Sequence, residues 1–209
     1  MVARRHLLAG LGAASLGALS APASAAPTAG FAPGRRQFPN VELQTHTGAT
    51  VRFYDDLIRG KLVAINMMYA LCNATCPPMT LNLARVQALL GARVGKDIFM
   101  YSITIRPEQD SPADLAWYAK QNSVKPGWLF LTGTPENVKL VRYSLGFFDL
   151  DPKVDKEPAR HTGMLRIGND SFDRWSMAPA LAAPEQIVSA IRHVDRRAAA
   201  VGAAAIRKS

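Results

Sequence analysis

The run Lys61–Tyr69 (KLVAINMMY) is almost unbroken in its hydrophobicity and limits the folds open to this chain. It is too short to cross a bilayer, which takes about 20 apolar residues. It also lacks the alternation of a strand wetted on one face, so it reads as a central strand covered on both sides. The flanking sequence supplies the cover. Pro77-Pro78 open a segment in which Leu81, Leu83, Val86, Leu89 and Leu90 recur at helical spacing. Asp97 to Ile105 is a second apolar strand. Ser111-Pro112-Ala113-Asp114 gives a cap, a first-turn proline and an acid, which starts a helix to about Gln121. Trp128 to Leu131 is a third strand, and Thr134-Pro135-Glu136 starts a helix to about Leu145.

Val41-Glu42-Leu43 and Val51-Arg52-Phe53 flank Thr45-His46-Thr47-Gly48, a hairpin signal. Residues 146–160 form a charged loop. Thr162 to Ile167, a turn at Gly168-Asn169-Asp170 and Phe172 to Ser176 make a last hairpin. From Pro184 a closing helix places Ile187, Val188, Ile191 and Val194 on one face. The pattern predicts an α/β fold, a central mixed sheet with helices on both faces.

With 209 residues, 48% hydrophobic and 20% charged, the chain is neither disordered, collagen-like nor a coiled coil, and one domain is expected. Residues 1–26 carry Arg4-Arg5, an apolar run from Leu7 to Ala21 and the small-residue pattern Ala23-Ser24-Ala25, an export signal of twin-arginine type. The alternative is an uncleaved anchor helix, for which the run of roughly 15 residues is short. Residues 27–37 read as a linker, 38–198 as the domain and 199–209 as a basic tail. A periplasmic or otherwise exported protein follows, in a compartment where thiols can be oxidised. Loss of Arg4 and Arg5 takes the net charge from +9 to +7, with much of the excess near the end. No basic stripe with interleaved aromatics points to nucleic acid, and membrane contact is expected to be peripheral at most.

Cys72 and Cys76 follow the central strand and precede a helix, where open α/β sheets place their chemistry. Residues four apart on a helix lie roughly 6 Å apart along the axis, within disulfide reach. The positive end of the helix lowers thiol pKa. The pair can therefore be two thiolates, a redox couple or a structural disulfide, although so small a loop constrains the unfolded chain little. Two thiolates suit a soft metal, copper(I) above all, and cannot by themselves fill a closed zinc site. Of the histidines beyond the signal, His46 falls in the predicted hairpin turn as a solvated residue and His193 near a charged helix end. His161 precedes a strand at the end of the charged loop and is open to either a ligand or a structural role. Met67-Met68 lie in the central strand, where core packing is expected.

Tyr69-Ala70-Leu71-Cys72-Asn73-Ala74-Thr75-Cys76-Pro77 resembles the cysteine motif of the Sco (SenC) proteins, thioredoxin-like copper chaperones. Ser102 to Pro112 (SITIRPEQDSP) is similar to their strand followed by Asp-Pro-Glu-Arg-Asp-Thr-Pro, and Leu131-Thr132-Gly133-Thr134-Pro135-Glu136 to their Leu-Thr-Gly-Thr-Pro-Glu. His161 stands where the family's metal-binding histidine stands. The likeness runs from about Phe38 to Val194. It implies a thioredoxin-like fold and a copper site made of Cys72, Cys76 and His161. It also implies a partner, a respiratory oxidase subunit or other copper protein that receives the metal. The alternative is a thiol-disulfide reductase with Cys72 and Cys76 as its couple. The chain departs from the family at Asn73 and Ala74, at Arg106 and at Arg160, where the family has Pro-Asp, Asp and Asp.

Overall fold

The computed structural model describes residues 38–72, 74–157 and 163–195. The export signal, the linker 27–37, the tail, Asn73, Arg160 and His161 lie outside the described residues.

Seven strands form one mixed sheet. In chain order the elements are β1 (Glu42–Thr45), β2 (Thr50–Arg52), a π-helical turn (Phe53–Ile58), β3 (Leu62–Met68), α1 (Cys76–Leu90), β4 (Ile98–Thr104) and α2 (Pro112–Gln121). Then come β5 (Trp128–Thr132), α3 (Pro135–Leu145), the short α4 (Pro152–Asp155), β6 (Met164–Asn169), β7 (Arg174–Pro179) and α5 (Pro184–Val194). The strand order is β2-β1-β5-β4-β3-β6-β7. β3, β4 and β5 run parallel, and the outer pairs are antiparallel.

Every residue of β3 is buried, Met67 and Met68 included, as a strand with a helical layer on each face requires. One layer packs Met79, Leu83 and Val86 of α1, Leu115 and Tyr118 of α2 and Ile187, Val188, Ile191 and Val194 of α5 against the sheet. The other uses Phe53, Leu57 and Ile58 of the π-helical turn and Val138, Val141 and Leu145 of α3. Leu81 and Leu89, read as part of the inner stripe of α1, are about half exposed and point outward. The inner stripe runs instead through Met79, Leu83, Val86 and Leu90, at spacings of three and four. Both predicted caps form: Ser111 and Asp114 make a reciprocal capping box, and Thr134 accepts from the Asn137 amide.

Two expectations are corrected. The last hairpin turns later than Gly168-Asn169-Asp170, because β6 runs through Asn169 and the partner strand begins at Arg174. The turn is a 3-10 segment, Asp170–Phe172, followed by Asp173 at φ 47°. Asp170 fixes it by accepting from the Gly60 amide at 2.8 Å. Gly168 serves packing rather than turning: a Cβ there would lie 2.0 Å from the Trp175 ring. His46, expected to be solvated, is partly buried. Its Nδ1 accepts from the Phe130 amide at 3.1 Å, so the side chain continues the ladder between β1 and β5. Burial is the largest influence on its pKa and lowers it.

The described part of the charged loop, residues 146–157, contains the short α4. Asp155 of α4 accepts from both Arg142 nitrogens at 2.7 and 2.8 Å, from the Tyr143 hydroxyl at 2.6 Å and from the Asp149 amide at 2.9 Å. No helix among the described residues is long and apolar enough to cross a membrane.

Candidate metal and thiol centre

β3 delivers the chain to the site. After Met68 it leaves the sheet, and the Cys72 amide closes a turn on the Tyr69 carbonyl at 3.2 Å. Thr75 precedes the helix, and Cys76 is the first residue of α1. Prolines follow at 77 and 78, in a first turn whose amides have no intrahelical partner. Both cysteines are free and buried, Cys76 completely. Leu71 beside them is 76% exposed, so an apolar side chain stands in solvent at the lip of the centre.

The two thiols differ. The Cys76 amide donates to the Cys72 sulfur at 3.3 Å. Burial raises the Cys72 pKa, but hydrogen bonding from the Cys76 side chain, the Ala74 and Cys76 amides and the Tyr69 hydroxyl outweighs it, and the net direction is down. Burial pushes the Cys76 thiol up to about 12, with further raising from the hydrogen bond to Cys72 and the charge of Asp110. The helix start was expected to favour both thiolates; it favours Cys72, because Cys76 sits deeper, where desolvation dominates. The Tyr69 hydroxyl is held neutral to higher pH, chiefly by hydrogen bonding to Cys72. The Arg106 guanidinium stands over the Tyr69 ring, 4.6 Å from its centre.

Two further segments reach the cysteine loop. Asp110, buried in the β4–α2 connection, accepts from the Ala70 amide at 3.0 Å and from the Thr104 hydroxyl at 2.5 Å. Gly163, which opens the approach to β6 at φ 96°, lies against the cysteine motif: a Cβ there would be 3.8 Å from the Thr75 methyl. Its carbonyl accepts from Ala180 at 2.8 Å, and Asn82 of α1 donates to the Ala180 and Ala182 carbonyls. Thus α1, the approach to β6 and the connection after β7 are tied to one another. Among the described residues, no third Cys, His, Asp or Glu completes a metal-binding group with the pair. His193 lies in the last turn of α5.

Sequence reasoning found the cysteines and the element that carries them. It assigned no role to Tyr69, Arg106 or Asp110. The available signal for Asp110 was an acid directly before the capping sequence of α2, where the chain must turn back under the strand ends.

The SCO1/SenC family model matches residues 35–195. No curated protein sequence matches the chain. Among solved structures, it is similar to Bradyrhizobium japonicum ScoI with copper bound (21% identity, TM-score 0.57, 73% of this chain and 96% of that one). It is also similar to yeast Sco1 with copper bound (21%, 0.58, 76% and 95%). A third is BsSco, of the Sco family of cytochrome c oxidase assembly proteins, described with a disulfide switch (18%, 0.59, 76% and 94%). A match over most of the chain, together with a sheet and cysteine-bearing helix of thioredoxin-like architecture, places this protein in the SCO1/SenC family.

Proposed function

We propose that this protein is an exported copper chaperone. It binds copper through the Cys72 and Cys76 thiolates and the His161 imidazole, and helps assemble a copper centre of a respiratory oxidase. The observation that carries the reading is the packing of Gly163 against Thr75. It brings the backbone two positions after His161 to Thr75, one of the residues between the cysteines. Two soft sulfurs with one nitrogen suit copper, and a ligand set spanning soft and borderline donors accepts Cu(I) and Cu(II). Yeast Sco1 and B. japonicum ScoI solved with copper support the same cargo. The export reading rests on the twin-arginine-type pattern of residues 1–26, with residues 38–198 as the working domain.

The test is metal analysis of the reduced protein after copper loading. One copper per chain is expected, lost on oxidation of the pair to a disulfide. His161→Ala should abolish Cu(II) binding and weaken Cu(I) binding, because two thiolates alone still hold Cu(I). Equal copper retention by the oxidised protein overturns the proposal.

The unequal thiols favour a second reading, a thiol-disulfide reductase in which Cys72 attacks and Cys76 resolves. Cells carrying His161→Ala separate the two. If they mature their copper enzyme normally while Cys72→Ser cells do not, the reductase reading holds.

A further inference from the structure

Asp110 is a buried carboxylate, 2% exposed, whose hydrogen bonds come from neutral donors, the Ala70 amide and the Thr104 hydroxyl. Among the described residues, no Lys or Arg forms an ion pair with it. The nearest cation along the chain, Arg106, is turned to the Tyr69 ring and to Gln109. A buried anion without a counter-charge costs several kcal/mol, and a protein that needs only a hydrogen-bond acceptor there can use a neutral side chain. The carboxylate grips the backbone two residues before Cys72. It is not part of a ligand group.

Resting on the copper reading above, we propose that Asp110 is a positioning residue for the metal. It fixes the loop that presents Cys72 and supplies, from outside the ligand set, a fixed negative charge. The sign follows from charge. Two thiolates, a neutral imidazole and Cu(I) sum to one negative charge, whereas the same ligands with Cu(II) are neutral. A fixed anion alongside opposes the first and tolerates the second, so Asp110 biases the site toward Cu(II).

The test is Asp110→Asn, which keeps an acceptor for the Ala70 amide and removes the charge. Affinities for Cu(I) and Cu(II) are measured by competition, with the bound-copper potential and the thiolate-to-Cu(II) absorption as independent readouts. The expected result is a shift of about tenfold in the affinity ratio toward Cu(I), or about 59 mV upward in potential for a one-electron couple, with the thermal unfolding profile retained. Asp110→Ser, which removes the charge with a small polar side chain, repeats the test where the amide fits poorly. An unchanged ratio in a folded, copper-binding variant overturns the role of Asp110. Failure of the unmodified protein to bind copper overturns the chaperone reading instead.

Discussion

The Cys76 amide points at the Cys72 sulfur across 3.3 Å, so the helix that begins at Cys76 stabilises its neighbour's thiolate rather than its own. Alkylation should read this directly. With iodoacetamide and rising pH, Cys72 is labelled first, below the ordinary thiol range, and Cys76 stays protected until pH approaches about 12. Cys72→Ser should leave a folded protein that hardly labels. Equal labelling of both thiols in the native state contradicts the asymmetry.

Gly168 and Trp175 face each other across β6 and β7, and the indole occupies the space that a Cβ at Gly168 would fill. Gly168→Ala should destabilise by about 3 kcal/mol, the upper end for an overpacked site. Adding Trp175→Leu should recover part of that loss, because both changes act on one contact. Urea unfolding of the two single variants and the double variant measures it; simple additivity of the costs argues against the packing account.

Asp155 accepts a two-pronged bond from Arg142, and both side chains are nearly buried. Arg142 leads the causes that hold the Asp155 carboxyl well below its usual range, against a smaller raising effect of burial. The folded-state pKa is depressed, so the stability it contributes is complete above the unfolded carboxyl value and is lost as pH falls toward the folded one. Asp155→Asn should cost about 3 kcal/mol at neutral pH, the lower end for breaking a buried pair. It should also flatten the acid limb of stability against pH. An unchanged acid limb would show that the pair does not report on folding.

His46 works in another window. Its folded pKa lies below 6.5, chiefly because burial disfavours the charged ring. The unfolded chain therefore takes up a proton first, and stability declines as pH drops from about 6.5 toward the folded value. His46→Asn keeps an acceptor near the Phe130 amide and cannot titrate there. The difference in pH slope between the two proteins isolates this residue, and identical slopes would dismiss it.

Much of the fold was legible because its signals are local. The apolar run of β3, the caps at Ser111 and Thr134 and the stripe Ile187-Val188-Ile191-Val194 each require only neighbouring residues to be read. The misread positions depend on partners far along the chain. His46 is drawn in by Phe130, the last turn is set by Asp170 gripping Gly60, and Gly168 is dictated by the indole opposite. The cysteines stood out by type and spacing, whereas the difference between them arises from depth, which spacing does not encode. Asp110 looked like a flanking residue of α2 until the fold brought it to Ala70.

The contact between Gly163 and Thr75 depends on β6 lying against β3, where Leu62 pairs with Asn169 more than a hundred positions later. Such long-range pairings close late, after the local helices have formed. The cysteine loop is thus completed by chain that arrives near the end of the domain. A partly made or partly folded molecule holds the sulfurs without the wall that faces them. The thiol pair is thereby enclosed only once the sheet has closed.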